Sequence, residues 1–75
     1  MVFSMEQLDQ VATHNILRAM SVAGIDREGL AAATGISGKI LLKRMSDGSW
    51  KLPEIALIGR ALGVRAADLF SEAAA

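Results

Sequence analysis

Asp26-Arg27-Glu28-Gly29-Leu30-Ala31-Ala32-Ala33-Thr34-Gly35-Ile36-Ser37-Gly38-Lys39-Ile40-Leu41-Leu42-Lys43-Arg44-Met45 is the stretch whose reading decides the fold. It holds two helix starts and one sharp turn. Asp26 and Ser37 each stand where a short side-chain oxygen can accept a backbone N–H of a first helical turn. Between the two predicted helices lies Thr34-Gly35-Ile36. Glycine enters the left-handed backbone region at little steric cost, so this short link can redirect the chain abruptly. Ala31 leaves room for close approach of the two helices, and Leu30, Ile36 and Leu41 supply a shared core. The run Ile40-Leu41-Leu42 could tempt a strand assignment, but it lies inside a capped segment of helical length.

Outward from this pair the same signals recur. Upstream, Ser4-x-x-Gln7 has capping-box spacing, and Phe3 with Leu8 can form a hydrophobic staple. At 100° per residue, Leu8, Val11, Ala12, Ile16, Ala19, Met20 and Ala23 share one face, with Asp9, Gln10, Thr13, His14, Leu17, Arg18 and Ser21 opposite. Asn15 lies beside the apolar stripe and is expected to make a structural hydrogen bond. Gly24 ends this first helix. Downstream, the third helix runs to about Met45 and meets Ser46-Asp47-Gly48-Ser49. Pro53 suits the first position of a fourth helix, with Ile55, Ile58 and Leu62 as its buried stripe before Gly63. A last short turn, about Arg65 to Phe70, returns Leu69 and Phe70 to the core. The expectation is one all-α domain over residues 1–75, with a core of about 4–70 and a frayed tail at 71–75.

Composition narrows the function classes. The 75 residues hold no cysteine and a single histidine, so disulfides and thiolate metal sites are absent and no metal or cofactor is expected. The start, Met1-Val2-Phe3-Ser4, lacks the basic and long apolar regions of a signal peptide, and no apolar run is long enough for a membrane span. A reducing cytoplasm follows as the expectation. His14 has no nucleophile or carboxylate pattern around it, and no glycine-rich phosphate loop occurs, so an enzyme is not expected. Met20 and Met45 are core fillers at helical spacing. Trp50 is expected to cover the junction of the third and fourth helices, with a phosphate contact by its indole N–H as the alternative.

Eight basic and eight acidic residues cancel, which is unusual for a nucleic-acid binder. Their distribution is uneven. Between Ser37 and Lys51 lie Lys39, Lys43, Arg44 and Lys51 against one acid, Asp47. Such a local patch attracts phosphate within about 8 Å, the screening length at physiological salt. On the third helix, with Leu41 and Met45 taken as the buried centre, Lys39 and Lys43 fall almost opposite and Ser46 beside them. Ile40 and Leu42 flank that strip. Lysines reach guanine O6 and N7 in a major groove, and aliphatic carbons meet thymine methyls.

The pattern Arg27-x-x-Leu30-Ala31-x-x-x-Gly35-Ile36-Ser37-x-x-x-Leu41 resembles the helix-turn-helix of phage repressors, Cro proteins and their bacterial relatives. The similarity extends through Ile58-Gly59-Arg60-Ala61-Leu62-Gly63-Val64 and Ala67-Asp68-Leu69-Phe70, roughly residues 15 to 70. It implies a compact five-helix bundle of the lambda-repressor-like type, with the third helix in the major groove of double-stranded DNA and the second bracing it. By that resemblance Ser37, Gly38, Lys39, Leu42 and Lys43 face DNA. Arg27 stands where relatives often place a phosphate-holding glutamine; a surface salt bridge is its alternative role. Arg44 and Ser49 complete the expected contact set, Arg44 with its stem along the core edge and its guanidinium reaching solvent or phosphate.

The sequence departs from the family at Ile40 and Leu42, where many relatives carry Ser, Thr, Gln or Asn. Leu42 therefore has three readings: a thymine contact, a partial core residue or a protein-contact residue. The implied function is a sequence-specific transcriptional regulator, Cro-like or a short repressor. It would be a monomer or weak homodimer in solution and a dimer on the operator, through Leu17 or the Leu69-Phe70 segment. The rival readings are a module that docks a protein through the same fold, and the antitoxin of a toxin–antitoxin pair.

Overall fold

Among the described residues five helices follow one another in the order α1 (Met5–Ala23), α2 (Arg27–Thr34), α3 (Gly38–Asp47), α4 (Leu52–Leu62) and α5 (Ala66–Leu69). They are seen in a computed structural model that describes residues 5–71, with side chains from residue 10 onward. The Ser4–Gln7 box, the Phe3–Leu8 staple and the alanine tail lie outside the described residues. No strand occurs among those described.

Local chemistry sets most helix ends. Asp26 Oδ1 accepts the Gly29 N–H at 2.8 Å, and Ser37 Oγ accepts that of Ile40 at 3.2 Å. Gly35, at φ +77°, closes α2 with its N–H on the Ala31 carbonyl. That backbone is one an L side chain adopts only with strain, so the turn depends on glycine here. Two ends differ from the sequence reading. The α3 helix continues to Asp47 and stops at Gly48. The α4 helix starts one residue early, at Leu52, so Pro53 occupies the second position. The cause is Glu54, whose Oε1 accepts the Lys51 N–H at 2.9 Å and makes Lys51 the cap. A lysine side chain has no acceptor to return the bond, so only half of a capping box forms.

The core is Ala12, Ile16 and Met20 of α1 with Leu30, Leu41, Ile55, Ile58 and Leu69, one contribution at least from every helix. Each fully buried Leu or Ile contributes about 1.5–3 kcal/mol over its exposed state. Ala23, placed on the apolar face by its spacing, is exposed.

Two long-range hydrogen bonds and one close backbone approach lock the layout. Asn15 is buried and its Nδ2 donates to the carbonyls of Leu69 and Ser71, both at 3.0 Å, so α1 holds the end of α5. Trp50 donates its indole N–H to Thr13 Oγ1 at 2.8 Å, which ties the α3–α4 link to α1. Gly59 is buried where α4 meets its following turn, and a Cβ there would sit 2.7 Å from the Val64 carbonyl oxygen. The radius of gyration, 11.5 Å, matches the roughly 11 Å expected of a compact chain of this length.

Candidate nucleic-acid interface

The pair α2–α3 is joined by Gly35-Ile36-Ser37 and stiffened within the turn. Thr34 Oγ1 donates to the Leu30 carbonyl at 2.8 Å and accepts the Ile36 N–H at 3.2 Å, so one hydroxyl serves both the end of α2 and the turn. Leu30 and Leu41 are fully buried, and Ile36 packs against the core they belong to. With Leu41 fixed inward, the 100° step turns Lys39 and Lys43 outward, and both are exposed together with Ser46. Ile40 and Leu42 flank the strip at 41% and 52% exposure. Leu42 is therefore not a core residue, which leaves the thymine and protein-contact readings.

Ser37 is exposed; its Oγ lone pair serves Ile40, and its O–H donates to nothing among the described residues. Gly38 opens α3, and a Cβ there would meet nothing within 4 Å, so the backbone of the first turn is open to approach. Arg27, the first residue of α2, is exposed and makes no ion pair among the described residues. Its salt-bridge alternative finds no partner there.

Arg44 and Ser49 take other roles than the sequence reading gave them. The Arg44 guanidinium turns inward to Glu54, Nε to Oε1 at 3.0 Å and Nη2 to Oε2 at 3.2 Å, with only 13% of its side chain exposed. Its Nη1 donates to Ser49 Oγ at 3.2 Å, and Ser49 gives its own O–H to Asp47. Asp47 Oδ1 also accepts the Ser49 N–H at 2.9 Å. The chain of bonds Asp47–Ser49–Arg44–Glu54–Lys51 thus clamps the α3–α4 link and uses both residues internally. The Trp50 indole N–H, committed to Thr13, is likewise not directed at phosphate. Sequence reasoning missed Glu54 because its partner lies ten positions away, across a loop with no periodicity. Lys39, Lys43 and Arg27 remain as outward cations of the α2–α3 pair.

The clamp makes stability depend on acid. Burial pushes the Glu54 carboxyl up, but the bonds from Arg44 and the Lys51 N–H, with their charges, outweigh it and hold it below the ordinary range. The bonds from the Ser49 O–H and N–H lower Asp47, against a smaller effect of desolvation. A carboxylate lowered on folding stabilises above its unfolded value, about 4, and loses that contribution as pH falls through the folded value. The melting temperature of the protein is expected to drop as pH goes from about 5 to 3, with a shallower drop for Glu54→Gln. Equal slopes for the two proteins would remove Glu54 from the account.

Among the described residues no group of three His, Cys, Asp or Glu is placed to hold a metal ion, and no helix is long and apolar enough to cross a membrane. His14 is exposed on α1. Compared with protein-family models, curated proteins and solved structures, the chain shows no match in any of the three.

Proposed function

We propose that this protein is a sequence-specific double-stranded DNA-binding regulator of the repressor and Cro-like, lambda-repressor-like type, with α3 entering the major groove and α2 bracing it on the backbone. The observation that carries the reading is the outer face of α3. Lys39, Lys43 and Ser46 are bare opposite the buried Leu41, on a helix fixed at its start by the Gly35 turn. A major groove about 12 Å wide admits such a helix, lysine reaches guanine, and Ile40 and Leu42 meet thymine methyls. Ser37, the open backbone of Gly38 and Arg27 bind flanking phosphates, which position the helix without reading sequence. With Lys39, Lys43 and Arg27 as the outward cations and zero net charge, binding draws little on non-specific attraction. The proposed setting is the bacterial cytoplasm or nucleoid, without catalysis, cofactor or metal.

The protein is a monomer or weak dimer when free and pairs on DNA, because one short helix face rarely reaches the roughly 10⁻⁸ M of specific binding alone. Of the two dimer contacts proposed, the Leu69-Phe70 segment offers the less open surface. Leu69 is 2% exposed and Phe70 packs against the core. Leu17, 48% exposed on α1, is the more open candidate for that contact. One observation favours a second reading, in which α3 docks a protein: the exposure of Ile40 and Leu42 beside the lysines.

Selection from random duplex DNA at moderate salt tests the proposal. Enriched sites with half-sites centred about 34–36 Å apart are expected. Replacing thymine by uracil at the positions nearest α3 should weaken binding, and Leu42→Ser should abolish that difference. The absence of any enriched motif would refute the DNA reading and leave the protein-docking one.

A further inference from the structure

The α4 helix presents an apolar surface on the side away from the core. Ile55, Ile58 and Gly59 are buried, as its stripe requires. The opposite side of an ordinary surface helix is polar. Here that side carries Leu52, Pro53, Ala56 and Leu57, all exposed, Leu52 at 73% and Leu57 at 42%. At 100° per residue these four and Arg60 occupy a continuous sector of about 140°. A helix apolar on both sides is normally covered on both.

Charge selects the occupant. Lys51 caps the helix at the N-terminal end of this face and Arg60 lies within it near the C-terminal end, both exposed and neither in an ion pair among the described residues. The one acid of the helix, Glu54, is turned to Arg44 and the Lys51 N–H. A second copy packed here about a two-fold axis would bring these cations together with no carboxylate of the helix to answer them, in either orientation of the pair. Phosphate would leave the leucines uncovered. An amphipathic helix with an aliphatic stripe between acidic side chains satisfies both features.

We propose that the outer face of α4 docks an acidic amphipathic helix of a partner protein, a surface separate from the lysine strip of α3 and independent of the DNA reading. The probe is a displayed library of helices randomised on one face, selected against the intact protein. Enriched helices should alternate aliphatic residues with an excess of Asp and Glu. A synthetic copy of one should shift the amide resonances of residues 51–60 in NMR spectra. Its affinity should fall at least 10-fold for both Leu57→Asp and the more exposed Leu52→Ser, while the melting temperatures of these variants stay near that of the parent. Arg60→Glu should weaken it by a similar factor and favour a copy with lysine in place of its acids.

Any of four results would overturn the proposal: no enrichment, no acidic bias, binding to Leu52→Ser and Leu57→Asp as tight as to the parent, or shifts of these amides with the concentration of the protein alone. The last would make a second copy the occupant. DNA affinity of the same variants should not change, so the outcome does not depend on whether α3 binds DNA.

Discussion

Alanine at both Lys39 and Lys43 is expected to cut affinity for a selected duplex by roughly 100-fold, about 10-fold for each lysine, at an unchanged fold. Both side chains are exposed on α3 and make no ion pair among the described residues, so no packing is lost. Substitutions of that kind usually stay within about 0.5 kcal/mol of the parent's stability. The slope of log affinity against log salt should also shrink by about 0.9 for each lysine that neutralises a phosphate. A lysine that contacts a base would instead change the preferred sequence, so repeated selection with each single variant separates the two roles.

Arg44→Met is the matching control. It leaves Glu54 half-buried without its partner, so the melting temperature should fall. Titrations with thermal scans on the four variants check all of this. Unfolding of either lysine variant would show that α3 is turned differently. Full DNA affinity in the double variant would remove α3 from the interface.

The largest effect on stability is expected from Gly59→Ala. A methyl group there would lie 2.7 Å from the Val64 carbonyl oxygen, and the obstacle is backbone rather than a flexible side chain. The same carbonyl-to-amide approach brings the Val64 N–H to the Gly59 carbonyl at 2.9 Å, so relief of the clash would weaken the bond that turns the chain from α4 into α5. Overpacking of this sort costs about 2–3 kcal/mol, which for a domain this small lowers the melting temperature by roughly 10–20 °C. Gly35→Ala provides the comparison. Its φ is +77° but a Cβ would meet nothing within 4 Å, so only backbone strain of about 1 kcal/mol is added. Thermal unfolding of both variants by circular dichroism should rank Gly59→Ala well below Gly35→Ala. Equal losses would mean that the α4–α5 turn yields to the added methyl.

Most of what depends on neighbours within four positions was legible in the amino-acid order, but the Lys51–Glu54 half-cap and the Asp47–Ser49 bonds were not. The Asp26 and Ser37 caps, the glycine stop at Gly35 and the inward set Ala12, Ile16, Met20, Leu41, Ile55 and Ile58 are of the legible kind. So is the outward placement of Lys39 and Lys43, because the helical step relates each residue to the next by a constant angle. Asn15 was also expected to bond, though not to what: its partners lie more than fifty positions away, at the end of α5.

Only the tertiary structure decided which helix sides met. It turned Arg44 to Glu54 instead of solvent and gave the Trp50 indole to Thr13. It also left the aliphatic Leu52 and Leu57 bare on a helix whose composition suits burial all round. Spacing along a helix states which residues share a side, but contains no distance between helices. The path of the chain between helices, through turns such as the α3–α4 link, sets those distances. They determine whether an arginine finds a carboxylate, whether a glycine has room for a methyl, and whether a leucine finds a neighbour.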